Sequence, residues 1–270
     1  MNISKPITSC LLGAIAGDMI GQRYEHHHRA TDEHFPLFAE RSHFTDDTVL
    51  TVAVADGILH SGDYLERIVE YAKRYPNAGY GSFFRNWLRS GNYEPYNSFG
   101  NGSAMRVSPV GWAFNTVEEV LHEAERSAAV THNHPEGIKG AKTVALAIFR
   151  GRTGASKEEI RAEIQDRFGY DLSRTLMDIA PTYEWDSTCQ GSVPESIIAF
   201  LESKDFESAV RNAILLGGDA DTMAAIAGSI AEAYYGGIPT EVTEEAKKRL
   251  MPDLKSVVDE FGRKYGVRTG

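Results

Sequence analysis

Two short clusters of carboxylate and hydroxyl side chains constrain the fold of this chain most, because each one opens an apolar, alanine-rich segment. The first cluster is Thr45-Asp46-Asp47, and the second is Asp219-Ala220-Asp221-Thr222. Hard oxygen donors without cysteine suit Mg²⁺, Mn²⁺ or Ca²⁺ better than Zn²⁺ or copper. We therefore predict that the fold joins the two clusters as halves of one metal site. Such a site indicates metal-assisted hydrolysis or phosphate chemistry.

Helix capping is the alternative interpretation of these clusters, because Asp and Thr are ordinary N-cap residues. One cap, however, needs one oxygen, whereas each cluster supplies three donor residues within four positions. Adjacent carboxylates also repel one another unless a cation or water relieves them. Gly217-Gly218 stands directly before the second cluster and follows an apolar run, which predicts a tight turn between two helices.

Helical periodicity dominates the chain and convincing period-two strands are scarce, so we predict an all-α fold. We expect a buried helix near the N-terminus and further helices over residues 49–58, 117–130, 140–149, 194–201, 211–216 and 222–235. Pro194 is expected in the first turn of its helix. The predicted loops, where function is expected to gather, cover residues 75–81, 91–103, 131–136 and 181–192.

Composition excludes several classes of protein. With 270 residues, 42% of them hydrophobic and 24% charged, the chain is ordinary globular material, sufficient for one large domain or two merged ones. Its formal net charge of −10 argues against a general nucleic-acid binder. Its two cysteines, Cys10 and Cys189, give no disulfide framework, and no apolar stretch reaches membrane-spanning length. We expect a cytoplasmic protein that binds neither nucleic acid nor membrane.

Three loop segments carry further candidate residues. The segment Asn97-Ser98-Phe99-Gly100-Asn101-Gly102-Ser103 is rich in backbone N–H groups and suits a diphosphate, although a plain turn before a helix has the same composition. It is neither a Walker loop nor a dinucleotide fingerprint. His132 and His134 lie in a turn, where either one suits a phosphate, a sugar or a metal, with bystander histidines as the alternative. His26-His27-His28 is a metal tract or, alternatively, a set of solvated loop histidines.

Five motifs occur in order along the chain. They are Gly13-Ala14-Ile15-Ala16-Gly17-Asp18 with Glu25, Phe44-Thr45-Asp46-Asp47-Thr48, Gly100-Asn101-Gly102-Ser103-Ala104-Met105-Arg106, Thr131-His132-Asn133-His134-Pro135-Glu136-Gly137 and Gly217-Gly218-Asp219-Ala220-Asp221-Thr222. In sequence, order and spacing they resemble the ADP-ribosylglycohydrolase family, over about residues 11–236. That family includes the dinitrogenase reductase-activating glycohydrolase and the ADP-ribosyl-arginine and ADP-ribosyl-serine hydrolases.

The resemblance implies a fold, a metal centre and a substrate cleft. The fold is a single all-α orthogonal helical bundle over residues 1–270, with two Mg²⁺ or Mn²⁺ ions at the base of a cleft. The implied metal ligands are Thr45, Asp46, Asp47, Asp219, Asp221 and Thr222, with Glu25 as an additional one beside a His26–Arg29 stretch that departs from the family pattern. The implied substrate-binding residues are Asn97, Ser98, Phe99, Gly100, Asn101, Gly102 and Ser103 for the diphosphate and ribose, and His132 for the phosphate side. Tyr183 and Trp185 are candidates for stacking on adenine, with packing as the alternative role.

The resemblance also implies an activity, namely hydrolysis of the bond between ADP-ribose and a modified amino-acid side chain, which reverses mono-ADP-ribosylation. In the expected mechanism the metals hold ribose hydroxyls and activate a water that attacks the anomeric carbon. Asp46, Asp47 and Asp219 are the candidates for handling the proton, and coupled carboxylates of this kind titrate as a group. The alternatives are a hydrolase of free conjugates such as O-acetyl-ADP-ribose, or a non-catalytic ADP-ribose-binding protein. Retention of both acidic clusters disfavours the non-catalytic alternative.

Overall fold

The computed structural model describes residues 10–25, 30 and 34–266. The tract His26-His27-His28 therefore lies outside the described residues. Within them the regular structure is helical and no β-strand occurs. Gly100 and Thr188 form an isolated antiparallel bridge. The predicted all-α fold class is confirmed.

Fifteen α-helices lie in the described part of the chain. They are α1 Leu12–Gly21, α2 Asp46–Asp56, α3 Tyr64–Arg74, α4 Ser82–Ser90, α5 Gly102–Met105, α6 Ser108–Ala113, α7 Val117–Ala129, α8 Pro135–Arg152, α9 Lys157–Phe168, α10 Leu176–Ile179, α11 Cys189–Leu201, α12 Phe206–Leu216, α13 Ala220–Tyr235, α14 Thr240–Arg249 and α15 Pro252–Tyr265. A 3₁₀ turn, Gln22–Tyr24, extends α1, and a π-helical turn, Gly57–Ser61, extends α2. None of these helices is both long and apolar enough to cross a bilayer.

Helices α1 and α13 form the tightest contact of the core, and small residues make it. A Cβ atom added to Gly13, Gly17 or Gly21 would lie 2.4, 2.2 or 2.4 Å from the carbonyl oxygen of Gly228, Ala224 or Ala220, respectively. The residue numbers run in opposite directions along the two helices, so the helices are antiparallel. The C-terminal end of α1 therefore lies beside the N-terminal end of α13, where the second acidic cluster stands.

The turn predicted between α12 and α13 is confirmed. Helix α12 ends at Leu216, and α13 begins at Ala220. Gly217 and Gly218 have φ values of 80° and 72°, a region in which side chains with a Cβ are strained. Two glycines thus reverse the chain in the space of a few residues and point Asp219 and Asp221 towards the interior.

The start of α11 differs from the prediction. Pro194 lies inside this helix, not in its first turn, because the helix already begins at Cys189. The hydroxyl oxygen of Thr188 caps it by accepting a hydrogen bond from the Gly191 N–H at 3.1 Å. Helices α5, α8 and α11 also begin inside the segments predicted as loops. His134 and Thr188 cap α8 and α11, so these two helices start before their apolar patterns begin, whereas the Asn101 side chain makes no capping hydrogen bond to α5.

Candidate active site

One cleft of about 410 Å³ collects most of the residues singled out from the sequence. From those sets, the residues that line it are Glu25, Thr45, Asp46, Asp47, Ser98, Gly100, Asn101, Gly102, His132, Trp185, Asp219, Asp221 and Thr222. Volumes of this size are typical of small-molecule sites. The two acidic clusters, which are remote in sequence, therefore face a common space together with the glycine-rich turn.

Asp18 on α1 holds the first acidic cluster in place. Its buried carboxylate accepts hydrogen bonds from the backbone N–H and the hydroxyl of Thr45, at 2.9 and 2.8 Å. It also accepts from the N–H and hydroxyl of Thr48. Asp18 belongs to the first of the five motifs, but no role was predicted for it from the sequence. A carboxylate inside an apolar helix is costly unless it is hydrogen-bonded, and this cost was the signal that it had partners.

Helix capping explains the position of the Thr45 side chain in the first cluster, but not the position of the Asp219 side chain. The Thr45 hydroxyl oxygen caps α2 by accepting from the Asp47 N–H at 3.3 Å. Asp219 occupies the N-cap position of α13, yet its side chain makes no capping hydrogen bond. Its Oδ2 atom instead accepts from the Asn101 side-chain amide at 2.8 Å. The Asp219 carboxylate is thus turned towards the cleft.

Acidic oxygen atoms from two segments converge at this site. Glu25, Asp219 and Asp221 each offer one oxygen, and these oxygens all lie within 4.8 Å of one another. The Thr222 hydroxyl lies 3.4 Å from Asp47 Oδ2, which links the second cluster to the first. Asp47 Oδ1 is buried and has no hydrogen-bond partner among the described residues. A buried carboxylate oxygen without a donor is the environment that a bound cation satisfies.

Burial and mutual repulsion raise the pKa values of these carboxyl groups. The pKa of Asp46 rises to about 8, chiefly through burial and then through the charges of Asp18, Asp219 and Glu25. Burial, followed by neighbouring carboxylates, raises the pKa of Asp47 and of Asp221 well above the usual range. Without a cation, the ionised form of these carboxyl groups is therefore disfavoured.

The residues fit a hard divalent cation on the chemistry of their donors. The residues of both clusters that line the cleft offer carboxylate and hydroxyl oxygens, the ligands that Mg²⁺ and Mn²⁺ prefer, although the group of converging acidic oxygens contains Glu25, Asp219 and Asp221 and no residue of the first cluster. The two cysteines of the chain are buried elsewhere, and Cys189 Sγ contacts the Gly100 carbonyl. The site thus has the character of an oxygen-ligated metal centre.

The glycine-rich turn forms the facing wall, and Asn101 anchors it. The Asn101 N–H donates to the Ser187 carbonyl at 2.8 Å, while its side chain donates to Asp219. The Gly100 N–H donates to the Ser98 hydroxyl oxygen at 3.2 Å. Two backbone donors of this turn are therefore already engaged within the protein.

Three residues of the predicted substrate-binding segment do not line the cleft. Ser103 is buried and donates to the Gly137 carbonyl at 2.7 Å. The Asn97 N–H donates to Asn133 Oδ1 at 2.7 Å, and Asn97 has a positive φ of 56°. Phe99 is exposed and lies edge-on to the His134 ring. The segment thus reaches the cleft through Ser98 and residues 100–102.

Aromatic side chains surround the cleft mouth. Trp185 and Phe83 line it and are 53% and 77% exposed, and Tyr96 also contributes. Tyr183, the second candidate for adenine stacking, instead donates its hydroxyl to the Gly191 carbonyl at 2.9 Å and is not among the lining residues. Phe83 was not predicted, because its helix carries no motif.

The model of the ADP-ribosylglycohydrolase family matches residues 2–268 of this chain. The chain belongs to this family. ADP-ribosylhydrolase ARH3 of Mus musculus is 29% identical over 306 aligned positions, which cover 84% of this chain and 83% of the relative. ADP-ribosylarginine hydrolase Tri1 of Pseudomonas putida is also 29% identical, over 87% of this chain and 72% of the relative.

A solved structure described as an ADP-ribosylglycohydrolase-related protein complex shares the fold. Its TM-score is 0.72 at 26% sequence identity, and the match covers 95% of this chain and 96% of that one. The resemblance found in the motifs is thus confirmed, together with the ADP-ribosylglycohydrolase fold. The prediction of a hydrolase acting on glycosyl bonds is confirmed at the level of the family.

Proposed function

We propose that this chain hydrolyses the glycosidic bond between ADP-ribose and an amino-acid side chain, using divalent cations held by both acidic clusters. One observation carries the proposal: the clusters face the glycine-rich turn and His132 across a single cleft. An ADP-ribose conjugate offers ribose hydroxyl groups, which a divalent cation can bind, and a diphosphate, which a turn rich in N–H donors can bind. This cleft offers a cation site and a polar turn in that arrangement.

The two clusters and Glu25 would hold the cations. The candidate ligands are Glu25, Thr45, Asp46, Asp47, Asp219, Asp221 and Thr222. Two Mg²⁺ or Mn²⁺ ions suit a donor set of this size. When bound, such ions supply Lewis-acid activation of water and a charged anchor for sugar hydroxyls.

The protein groups around this centre handle the proton. Asp46, Asp47 and Asp219 are the candidates for accepting it from the attacking water, and Asn101 fixes the orientation of Asp219 through its amide. The pKa of Asp46, which rises to about 8 in the cation-free cluster, would fall on cation binding, because metal ligands bind in their deprotonated form. Because these groups are coupled, they act as one proton-handling unit.

The opposite wall would receive the diphosphate and adenosine parts of the ligand. Ser98, Gly100, Asn101, Gly102 and His132 line this wall. Trp185 lines the cleft and is 53% exposed, so its ring is available for stacking on adenine. The side chain that leaves would then point out of the cleft towards solvent.

Release of ADP-ribose from arginine-linked and serine-linked ADP-ribosylated peptides tests the proposal. It is measured with Mg²⁺, with Mn²⁺ and after chelation. We expect metal-dependent release from one linkage, and a loss of at least about 100-fold in Asp219→Asn, as when a preorganised charge-stabilising group is removed. The matched control is Asp171→Asn, a surface carboxylate that accepts only local hydrogen bonds.

Three outcomes would count against this proposal. Near-normal release by a folded Asp219→Asn protein, or release that survives chelation, contradicts the metal centre. ADP-ribose binding without release from either peptide contradicts the protein substrate, and assay of O-acetyl-ADP-ribose then separates a hydrolase of free conjugates from a binding protein.

A further inference from the structure

Arg106 is a buried cation in the cleft wall, and the proposed function assigns it no role. Its side chain is fully buried, and its Nε and Nη1 atoms have no hydrogen-bond partner among the described residues. Nη2 donates to the Ser127 carbonyl at 2.9 Å and to the Thr131 hydroxyl oxygen at 3.0 Å. The titratable groups that act most on it are Tyr96 and Cys189, and both are neutral at neutral pH because burial raises their pKa to about 12.

Burying a guanidinium without a carboxylate partner costs free energy, so we expect a negatively charged group to compensate for it. Burial lowers the pKa of Arg106 to about 10, which still leaves it charged at neutral pH. Arg106 and His132 both belong to the lining of the cleft. An anion bound at this wall would therefore supply the missing negative charge.

Thr131 connects Arg106 to His132. The Thr131 hydroxyl oxygen lies 2.6 Å from His132 Nδ1 and accepts a hydrogen bond from Arg106. A guanidinium only donates, so the hydroxyl proton of Thr131 is free to point at His132 Nδ1. That nitrogen then accepts, and the ring proton of a neutral imidazole must stand on Nε2.

The Nε2 atom of His132 faces the glycine-rich turn. A Cβ atom added to Gly102 would lie 3.1 Å from Nε2, and one added to Gly100 would lie 3.6 Å from it. Burial, followed by the nearby charge of Arg106, lowers the pKa of His132 well below its usual value. The imidazole is thus neutral, and the tautomer decides whether it presents a donor or an acceptor to the ligand.

We propose that Arg106 is a positioning residue which, through Thr131, fixes His132 as an Nε2–H donor and supplies buried positive charge to a bound diphosphate. The diphosphate part rests on the proposed function, whereas the tautomer part does not. The two parts therefore need separate readouts.

The first readout is the tautomer of His132 in the ligand-free protein, measured by ¹⁵N NMR with His132→Asn for assignment. We expect a protonated Nε2 and a hydrogen-bonded, unprotonated Nδ1. In Thr131→Val, the Nδ1 resonance should move to that of a nitrogen without a hydrogen bond. A proton on Nδ1 in the wild-type protein, or an unchanged Nδ1 resonance in Thr131→Val, overturns the relay.

The second readout is calorimetric binding of Mn²⁺ and of ADP-ribose to Arg106→Gln, Arg106→Lys and the wild type. We expect Arg106→Gln to bind ADP-ribose about 10- to 100-fold more weakly, as for loss of a charge-assisted contact, with unchanged Mn²⁺ affinity. Arg106→Lys should recover part of the loss because it retains the charge.

Undiminished ADP-ribose affinity in Arg106→Gln, or parallel loss of Mn²⁺ and ADP-ribose binding, contradicts the role of Arg106. If Arg106→Gln does not fold, Arg106→Lys carries the comparison, because it removes the planar guanidinium while it keeps a charge, and we then expect a smaller loss of ADP-ribose affinity with unchanged Mn²⁺ affinity. Absence of ADP-ribose binding in the wild type overturns the diphosphate part along with the proposed function, and the NMR result then decides the relay alone.

Discussion

At the scale of single residues, Asp18 is the group on which the first acidic cluster depends. Its two carboxylate oxygens receive the N–H and O–H groups of Thr45 and Thr48, and the side chain is fully buried. Thr45 and Thr48 flank Asp46 and Asp47, so these contacts fix the orientation of the start of α2. Asp18 thus orients residues of the cleft through hydrogen bonds, as the hydrogen-bond partners of metal ligands orient those ligands.

Asp18→Asn should destabilise the protein and weaken its metal site. The amide N–H₂ group would face donors that already point at this position, which leaves buried donors unsatisfied. The expected loss is about 1–3 kcal/mol in the free energy of unfolding, measured by urea titration, with weaker Mn²⁺ binding. Asp171→Asn on the surface should change both quantities little. Unchanged stability and Mn²⁺ affinity in Asp18→Asn would refute this role.

The residue types in the sequence predicted the two acidic clusters, but not the residues that hold the cleft side chains in place. The donors at 45–47 and 219–222 were predicted because carboxylates and hydroxyls crowd together in a way that capping does not require. The roles of Asp18 and Arg106 were not predicted, because each role depends on hydrogen-bond partners that only the fold brings close. A single Asp or Arg in an apolar segment indicates that the side chain has a polar partner, but it does not indicate which residue that partner is.

At the scale of elements, the packing of α1 against α13 sets the position of the second cluster. A Cβ atom on Gly17 would lie 2.2 Å from the Ala224 carbonyl oxygen and 2.7 Å from the Ala225 nitrogen. Both contacts are to backbone, so no side-chain movement relieves them. The helices have to separate to admit even one methyl group.

Gly17→Ala should therefore cost about 1–3 kcal/mol or more of stability, the usual range for overpacking a core. It should also move Asp219 and Asp221 relative to the first cluster. Thermal or urea unfolding measures the first effect and Mn²⁺ titration the second. Gly81→Ala is the control, because nothing lies within 4 Å of an added Cβ there. Equal stability of the two variants would show that the helices adjust freely.

Local patterns predicted helices where capping and periodicity agree. Helix α7 begins at Val117 behind the capping box of Thr116 and Glu119, and it ends within a residue of the prediction. The start of helix α11 was predicted wrongly because Pro194 is a strong signal for a first turn, whereas Thr188, the N-cap residue six positions before Pro194, is a weak one. Tertiary contacts, here the Cys189 N–H donating to the Phe99 carbonyl, decided between the signals.

At the scale of the whole molecule, the fold concentrates negative charge in one place. Burial raises the pKa of Asp46 to about 8 and that of Asp47 and Asp221 well above their usual value. The sequence indicated that such clusters should meet, but periodicity does not say which helix ends adjoin. That information lies in the antiparallel packing of α1 and α13, which only the three-dimensional structure provides.

The melting temperature of chelated protein should fall as the pH rises, whereas the increase caused by a divalent cation should grow as the pH rises. For a carboxyl group whose folded-state pKa is raised, the stabilising contribution is present below the unfolded-state pKa and is lost as pH rises through the folded-state value. Chelated protein should therefore melt at lower temperature as the pH rises towards 8, the folded-state pKa of Asp46. Added Mn²⁺ should raise the melting temperature more at high pH than at low pH, because ligands must be deprotonated.

Asp46→Asn is the variant that checks this assignment, since its chelated form should show a shallower pH dependence. A chelated wild-type protein that gains stability steadily with rising pH would contradict the repulsion between these carboxylates. So would a Mn²⁺-induced increase that is equal at every pH.

Anomalous diffraction from crystals soaked in Mn²⁺ and ADP-ribose would show whether both acidic clusters bind the cation and whether the ligand lies in the same cleft. We predict anomalous peaks within about 2.0–2.6 Å of carboxylate oxygens from both acidic clusters, with the distal ribose beside them and the diphosphate at the glycine-rich turn. Mn²⁺ peaks bound to only one cluster, or ADP-ribose seated away from the cleft, would contradict it.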